Sequence, residues 1–231
     1  MNLNIIGLGG TGSLLAEPLI RYAVSQEILD KVTFMDGDRY EAGNIGRQSF
    51  ASAYVGTNKA AYSAIKFGKM FPDYKFDFVD RFIGKADLHE FIKSGASEAT
   101  FVCVDNHYFR RIIDEHVCGL RDHLLVVSGN DLMTGQVQTH QRVSGANITK
   151  HTVCSKHSEV ASASSSEDRS GMSCEQLSQL PSGGQVIAAN MMSATIMLSH
   201  FISFVENRTR RAYYETCFNC TTCEVSSYGV K

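Results

Sequence analysis

Over the first 130 residues, short apolar runs alternate with longer stretches of helical period. Apolar runs bounded by turn formers read as strands, and the pattern places them at LNIIG (3–7), KVTFMD (31–36), KFDFVD (75–80), TFVCV (100–104) and HLLVVS (123–128). Helices fill the gaps, which predicts an α/β fold, Rossmann-like, with a mainly parallel sheet and helices on both faces. Pro18 falls well inside the first helical pattern, GTGSLLAEPLIRYAV, where it is expected to kink or split the helix.

The alternation fades from GNDLMTGQVQTH (129–140), and HSEVASASSSEDRSGMS (157–173), rich in small polar residues, reads as a mobile crossing loop or lid. A long buried helix is expected over 184–206. Ile187, Met191, Ala194, Leu198, Ile202 and Val205 recur at intervals of three and four and give it an apolar face. Asn190, Ser193, Thr195, Ser199 and His200 interrupt the run and argue against a bilayer span. RAYYETCFN and CEVSSYGV alternate at a period near two, which predicts a terminal hairpin and hence a C-terminal antiparallel extension. The expected organisation is one domain over 1–231, with a nucleotide-binding core in 1–130 and the crossing loop, long helix and hairpin in 131–231.

Charge and composition narrow the partners. The 22 basic and 24 acidic residues leave a net charge of -2, so no global field draws in nucleic acid or an anionic membrane, and neither is expected as a partner. The sequence passes from Met1 straight into a strand-like run without a basic and then apolar leader, so a cytoplasmic location is expected. Seven cysteines in a reducing compartment read as core residues, metal ligands or nucleophiles before disulfides. Cys103 and Cys118 fall in apolar patterns and read as core.

The candidate chemistry begins at IIGLGGTGSL, where Gly7, Gly9, Gly10 and Gly12 lie between a strand and a helix. Such a turn lets the backbone approach a phosphate, and it fits a redox dinucleotide as well as ATP. Asp36 and Asp38 end the second strand where a carboxylate accepts from ribose hydroxyls, which still fits both. The next turn, EAGNIGRQSF, supplies Asn44, Arg47 and Gln48, and Lys59 stands at a helix start. A nicotinamide site needs an apolar slot, whereas a reaction that expels pyrophosphate needs cations along a triphosphate. Asp105, at the carboxyl end of the fourth strand, offers a hard oxygen ligand for Mg²⁺ or a helix cap, and Asn106 follows it.

Together GLGGTG, D-x-D, NxGRQ, Lys59 and the Asp105-Asn106 pair resemble the nucleotide site of the ThiF/MoeB/ubiquitin-activating superfamily. SGNDLMTGQVQTH, Ser173-Cys174, the long helix and YYETCFNCTTCEVSSY are similar to the compact ThiF-type proteins of PRTRC plasmid systems. The resemblance implies a ThiF-type adenylation fold using ATP and Mg. The implied reaction activates the C-terminal carboxylate of a small ubiquitin-like (β-grasp) or sulfur-carrier-like protein, with a homodimer as the assembly. It implies Asp38, with Asp36, at the ribose; Asn44, Arg47, Gln48 and Lys59 at the phosphates; and Asp105 at Mg. A C-terminal carboxylate, with a reference pKa of about 3.3 to 3.7, arrives ionised and needs no general base.

The resemblance also implies a thiol acceptor at Cys174, which reads equally as a surface or packing thiol. Structural zinc is implied at Cys154-x-x-His157 with Cys217, Cys220 and Cys223, a spacing zinc accepts, although the last three also read as strand and turn residues. His140, His151 and His200 stand alone and read as surface or satisfied core residues. Some members carry an N-terminal helix whose arginine reaches a neighbouring subunit's site. This sequence shows no such helix, so that arginine is missing or another basic residue replaces it. A catalytic-cysteine domain and a ubiquitin-fold domain are not expected at this length. Two other readings stand beside adenylation: a non-catalytic nucleotide- or protein-binding module and an NAD(P)-dependent oxidoreductase.

Overall fold

The structure, a computed structural model, describes residues 1–165, 187–207 and 213–229. Its centre is a sheet in the order β3-β2-β1-β4-β5-β6-β8-β9, with β7 paired to β6. The first five in that order, β3 (Lys75–Val79), β2 (Lys31–Met35), β1 (Asn2–Ile6), β4 (Glu98–Val102) and β5 (His123–Asn130), run parallel. Then β6 (Thr134–Val143), β8 (Tyr213–Asn219) and β9 (Glu224–Gly229) extend it antiparallel, and β7 (Ala146–Asn147) closes a short return on β6. The five expected strands and the terminal hairpin are all present.

Register explains why the central parallel strands read as apolar runs. Leu3 pairs with Val32, Ile5 with Phe34 and with Phe101, and these side chains share one face. Ile6, Met35 and Val102 alternate onto the other. On the first face lie α1 (Gly10–Ser25), α2 (Lys59–Met70) and α7 (Ile187–Asn207), bringing Leu15, Leu19, Phe67 and Phe201 into the core. On the second lie the short α3 (Leu88–Phe91) and α4 (His107–Cys118), with Leu88, Ile112, Ile113 and Val117. Short helices α5 (Val153–Lys156) and α6 (Ser158–Ser162) pack on α4. α5 precedes the expected crossing loop and α6 occupies its start, and residues 166–173 of that loop lie outside the described residues.

Four expectations need correction, the first being Cys118, which reads as core but is exposed at the end of α4. Pro18 does not split α1, which runs unbroken from Gly10 to Ser25. Pro18 is exposed, so water can reach the carbonyl that loses its helical donor. β6 was not legible as a strand because four of the five residues it buries are polar: Gln138, Thr139, His140 and Gln141, beside Val137. The long helix is turned relative to its apolar face. It buries Ala189, Asn190, Ser193, Ala194, Ile196, Met197, His200 and Phe201, while Ile187 and Met191 are exposed.

Three of the polar residues that break the helix's apolar run, Asn190, Ser193 and His200, face inward, while Thr195 and Ser199 are exposed. His200 holds the oxygens of Thr139 and Thr216 at 2.7 and 2.8 Å, tying α7 to β6 and β8. By length and composition Ile187–Glu206 could cross a membrane, at a hydropathy of 1.3, but it lies on the sheet and on α1 through this partly polar face.

Candidate functional site

In the order 3-2-1-4-5, connections leave β1 and β4 toward opposite sides, and a crevice opens between their carboxyl ends. Here it is a cleft of about 470 Å³. It brings together Gly7, Gly9, Gly10, Asp36, Asp38, Asn44, Arg47, Gln48, Lys59, Asp105 and Asn106 from the sequence-predicted set. Gly12 does not line it, for a reason the glycine turn makes plain.

Each glycine in the turn answers a different constraint. Gly7 has φ +83, and a Cβ there would meet Val104 Cγ1 at 2.8 Å. A Cβ on Gly12 would lie 1.9 Å from the carbonyl oxygen of Gly7, so this glycine lets helix and turn touch. A Cβ on Gly10 would lie 2.1 Å from Asn190 Nδ2 on α7. Gly9 meets nothing within 4 Å and faces the cleft at the start of α1, where no side chain caps the helix. That leaves the helix start open to an anion.

Asp36 is buried and its carboxylate is already engaged. It accepts from the Leu8 N–H at 2.5 Å and the Asp38 N–H at 2.8 Å, which fixes the glycine turn against the end of β2. Burial pushes its carboxyl up from the ordinary value, against the pull of Lys59 and those two N–H groups. Asp38 is the more available acid, with 55% of its side chain exposed, and it pairs at 3.2 Å with Lys59 Nζ, whose side chain is only 7% exposed.

Lys59 is aimed by Asn58, a residue the sequence reading passed over. The Asn58 side chain caps α2 by accepting from Ala61 N–H and donates to the carbonyls of Asp36 and Asp38. An Asn directly before a helical pattern was the available signal.

The NxGRQ turn is built by Asn44. Its Oδ1 accepts from Glu41 N–H at 3.2 Å, and its carbonyl accepts from the N–H groups of Arg47 and Gln48. Ser13 Oγ accepts from Ser49 N–H, and Tyr40 stacks on Phe50 at 4.0 Å, so the turn is pinned at both ends. Between those pins Arg47 and Gln48 are buried and face the cleft. Arg47 Nε and Gln48 Oε1 are both buried without a hydrogen-bond partner. A buried polar atom left unsatisfied costs roughly 1–3 kcal/mol, so a pair of them lining one cleft marks a place for a polar ligand.

Across the cleft, Asp105 follows β4, and Asn106 caps α4 by accepting from Phe109 N–H at 2.6 Å. Arg110, also missed, lines this side. Two of its nitrogens hold the Val104 carbonyl at 3.1 and 2.7 Å, and its charge acts on Asp105. Cys103, half-buried on the cleft wall, has its thiol pushed up to about 12 by desolvation, which disfavours the thiolate. Deeper in, Asn190 Oδ1 accepts from Thr11 Oγ1 at 3.3 Å and Asn130 Nδ2 at 2.8 Å, linking α7 to the glycine turn and β5.

The remaining expected residues do not gather here. Cys174 lies outside the described residues. Cys154, His157, Cys217, Cys220 and Cys223 do not converge as one ligand set among the described residues. His157 is held between Glu159 and Glu215 at 2.7 and 2.6 Å, Cys217 sits in β8, and Cys220 and Cys223 lie in the turn before β9. His140 and His200 are buried with partners, and His151 lies against Tyr214.

Among curated proteins, the chain is similar to ubiquitin-like modifier-activating enzyme 5 of Bombyx mori. The two are 29% identical over 149 residues, covering 58% of this chain and 35% of that one. Among solved structures its fold resembles E. coli MccB crystallised with ATP (TM-score 0.71, 16% identity, 98% of this chain and 63% of that one). It also resembles MccB in complex with N-formylated MccA (0.72, 16%, 98% and 64%) and PaaA (0.68, 15%, 98% and 63%). The chain thus spans about a third of the insect relative and under two thirds of these structures. The ThiF family matches residues 1–227, which takes in the glycine turn, the cleft, the long helix and the hairpin, and on that extent the chain belongs to the ThiF family.

Proposed function

We propose that the cleft binds MgATP and adenylates the C-terminal carboxylate of a polypeptide, most simply a small ubiquitin-like (β-grasp) or sulfur-carrier-like protein. The observation that carries this reading is the buried, unpartnered donor Arg47 Nε, which lines the same cleft as Lys59 and the uncapped start of α1. These groups exceed what a dinucleotide's pyrophosphate requires, and they fit a triphosphate chain. The insect relative's name and the ATP and MccA complexes of MccB support the same class of reaction.

In this reading Gly9 and Gly10 lie along the phosphates, Asp38 accepts from the ribose hydroxyls, and Asp36 holds the turn. Arg47, Gln48 and Lys59 hold the β- and γ-phosphates, so Lys59 exchanges some of its contact with Asp38 for the nucleotide. Asp105 is the residue present that fits Mg²⁺, a hard oxygen donor at the cleft wall, and the ion would supply neutralisation of phosphate charge. A carboxylate oxygen of the substrate attacks the α-phosphorus. An O–P bond forms to give the acyl adenylate, the bond to the β-phosphate oxygen breaks, and pyrophosphate leaves with the electron pair. Proton transfer is not required, so catalysis is positioning and charge stabilisation. Homodimerisation belongs to the same proposal.

Exchange of labelled pyrophosphate into ATP tests it, run with small proteins encoded nearby and with the same proteins lacking their last residues. Exchange that needs the intact C-terminus and vanishes in Asp105→Ala is the expected result. Tight NADH binding without exchange would overturn it in favour of a redox enzyme.

A further inference from the structure

A second cluster lies away from the nucleotide cleft, at the far end of α4. Asp114 and Cys118 stand one helical turn apart on that helix and His140 faces them from β6. A carboxylate oxygen, a thiol sulfur and a ring nitrogen from the three lie within 4.8 Å of one another. Asp114 and His140 are buried, whereas Cys118 is exposed, so the cluster opens to solvent on the cysteine side.

The groups behind the cluster set the histidine's tautomer. His140 Nε2 lies 3.1 Å from Asn147 Oδ1, and that same oxygen accepts from Arg142 Nη1 at 2.6 Å. The oxygen is therefore an acceptor, and Nε2 carries the hydrogen it accepts. A neutral ring fixed this way presents the lone pair of Nδ1 toward Asp114 Oδ1, 2.7 Å away. Two acceptors face each other there, and at this distance a proton joins them; an ion held by both atoms at about 2.0–2.1 Å would part them to about 3.3 Å. Asp114 is oriented in turn by the N–H groups of Val153 and Cys154 at 3.3 and 2.9 Å. A ligating histidine held by a carbonyl and a carboxylate held by backbone N–H groups is the support that metal ligands need. A proton-bridged pair has no use for a third donor, and Cys118 supplies one.

We propose that Asp114, Cys118 and His140 bind one divalent ion of the zinc class. Imidazole, thiolate and carboxylate together suit zinc rather than magnesium or calcium, and three protein ligands leave the fourth position to water from the open side. Binding releases the Cys118 thiol proton and the proton shared by Asp114 and His140. The ion fastens the end of α4 to β6 and, through Asp114, to the start of α5. This set shares no residue with Cys154, His157, Cys217, Cys220 and Cys223, so the two assignments are separable by mutation.

The full-length protein, dialysed against zinc alone and then against metal-free buffer, is expected to retain one zinc per chain. Its cobalt-substituted form is expected to show thiolate-to-cobalt absorption. In Cys118→Ser, whose fold is checked by circular dichroism, that absorption disappears and zinc affinity falls at least ~10-fold. A Cys217→Ser/Cys220→Ser/Cys223→Ser variant keeps both signals. Wild-type protein that retains no zinc, or zinc and absorption that survive Cys118→Ser, overturns the assignment.

Discussion

At the residue scale, the glycine turn separates packing from ligand binding within four positions. Gly12 touches the Gly7 carbonyl where a Cβ would lie at 1.9 Å, and backbone cannot step aside as a side chain tip can. Gly12→Ala is therefore expected to cost at least ~1–3 kcal/mol of stability, read from a urea midpoint. Gly9 has open space, so Gly9→Ala should unfold with the wild type yet bind ATP more weakly, because its methyl group occupies the phosphate's approach. Equal stability losses in the two variants would contradict this division. Most of the cleft was legible because its residues are near one another in sequence: Asn44, Arg47 and Gln48 share one turn. Asn190 was not, because it reaches the turn from a helix 180 residues away, at a position where it looked only like an interruption.

At the scale of elements, the long helix shows what hydrophobic periodicity leaves out. Apolar residues alone point its face toward Met191, but the buried side also has to accommodate Asn190 against the glycine turn and His200 between two threonines. Met191 is 53% exposed and Met197 fully buried. Met197→Ala should cost about 2–5 kcal/mol and Met191→Ala less than ~0.5 kcal/mol, with thermal unfolding as the readout. The reverse order would restore the face read from the sequence. β6 escaped the sequence reading for the same physical cause, since four of its buried residues, Gln138, Thr139, His140 and Gln141, are polar, and Thr139 and His140 are held there by side-chain hydrogen bonds. The central parallel strands β1, β2, β4 and β5 were legible because helices cover both their faces and leave little room for polar alternation, whereas the edge strand β3 is largely exposed.

At the scale of the whole molecule, two buried histidines tie layers together and set an acid limit. His123 joins Lys93 O to Thr100 Oγ1, and His200 joins β6 to β8. Burial lowers each from 6.5 to about 4. Between those values the unfolded chain binds more protons than the folded one, so the stability these groups supply is complete above pH ~6.5 and is lost as pH falls through ~4. The loss is of the order of 3 kcal/mol for each histidine, and urea midpoints at pH 7 and pH 4.5 should differ accordingly. A smaller drop is expected in Thr139→Val/His200→Phe, where one titrating group is removed. The same layers hold the walls of the cleft, so the central claim is that this frame presents a triphosphate site. Calorimetric titration with MgATP, AMP and NADH tests it most directly. MgATP is expected to bind at least ~10-fold tighter than AMP, about 1.4 kcal/mol, and Arg47→Ala to erase the difference while leaving AMP binding in place. NADH binding tighter than MgATP, or a preference for MgATP that survives Arg47→Ala, would contradict it.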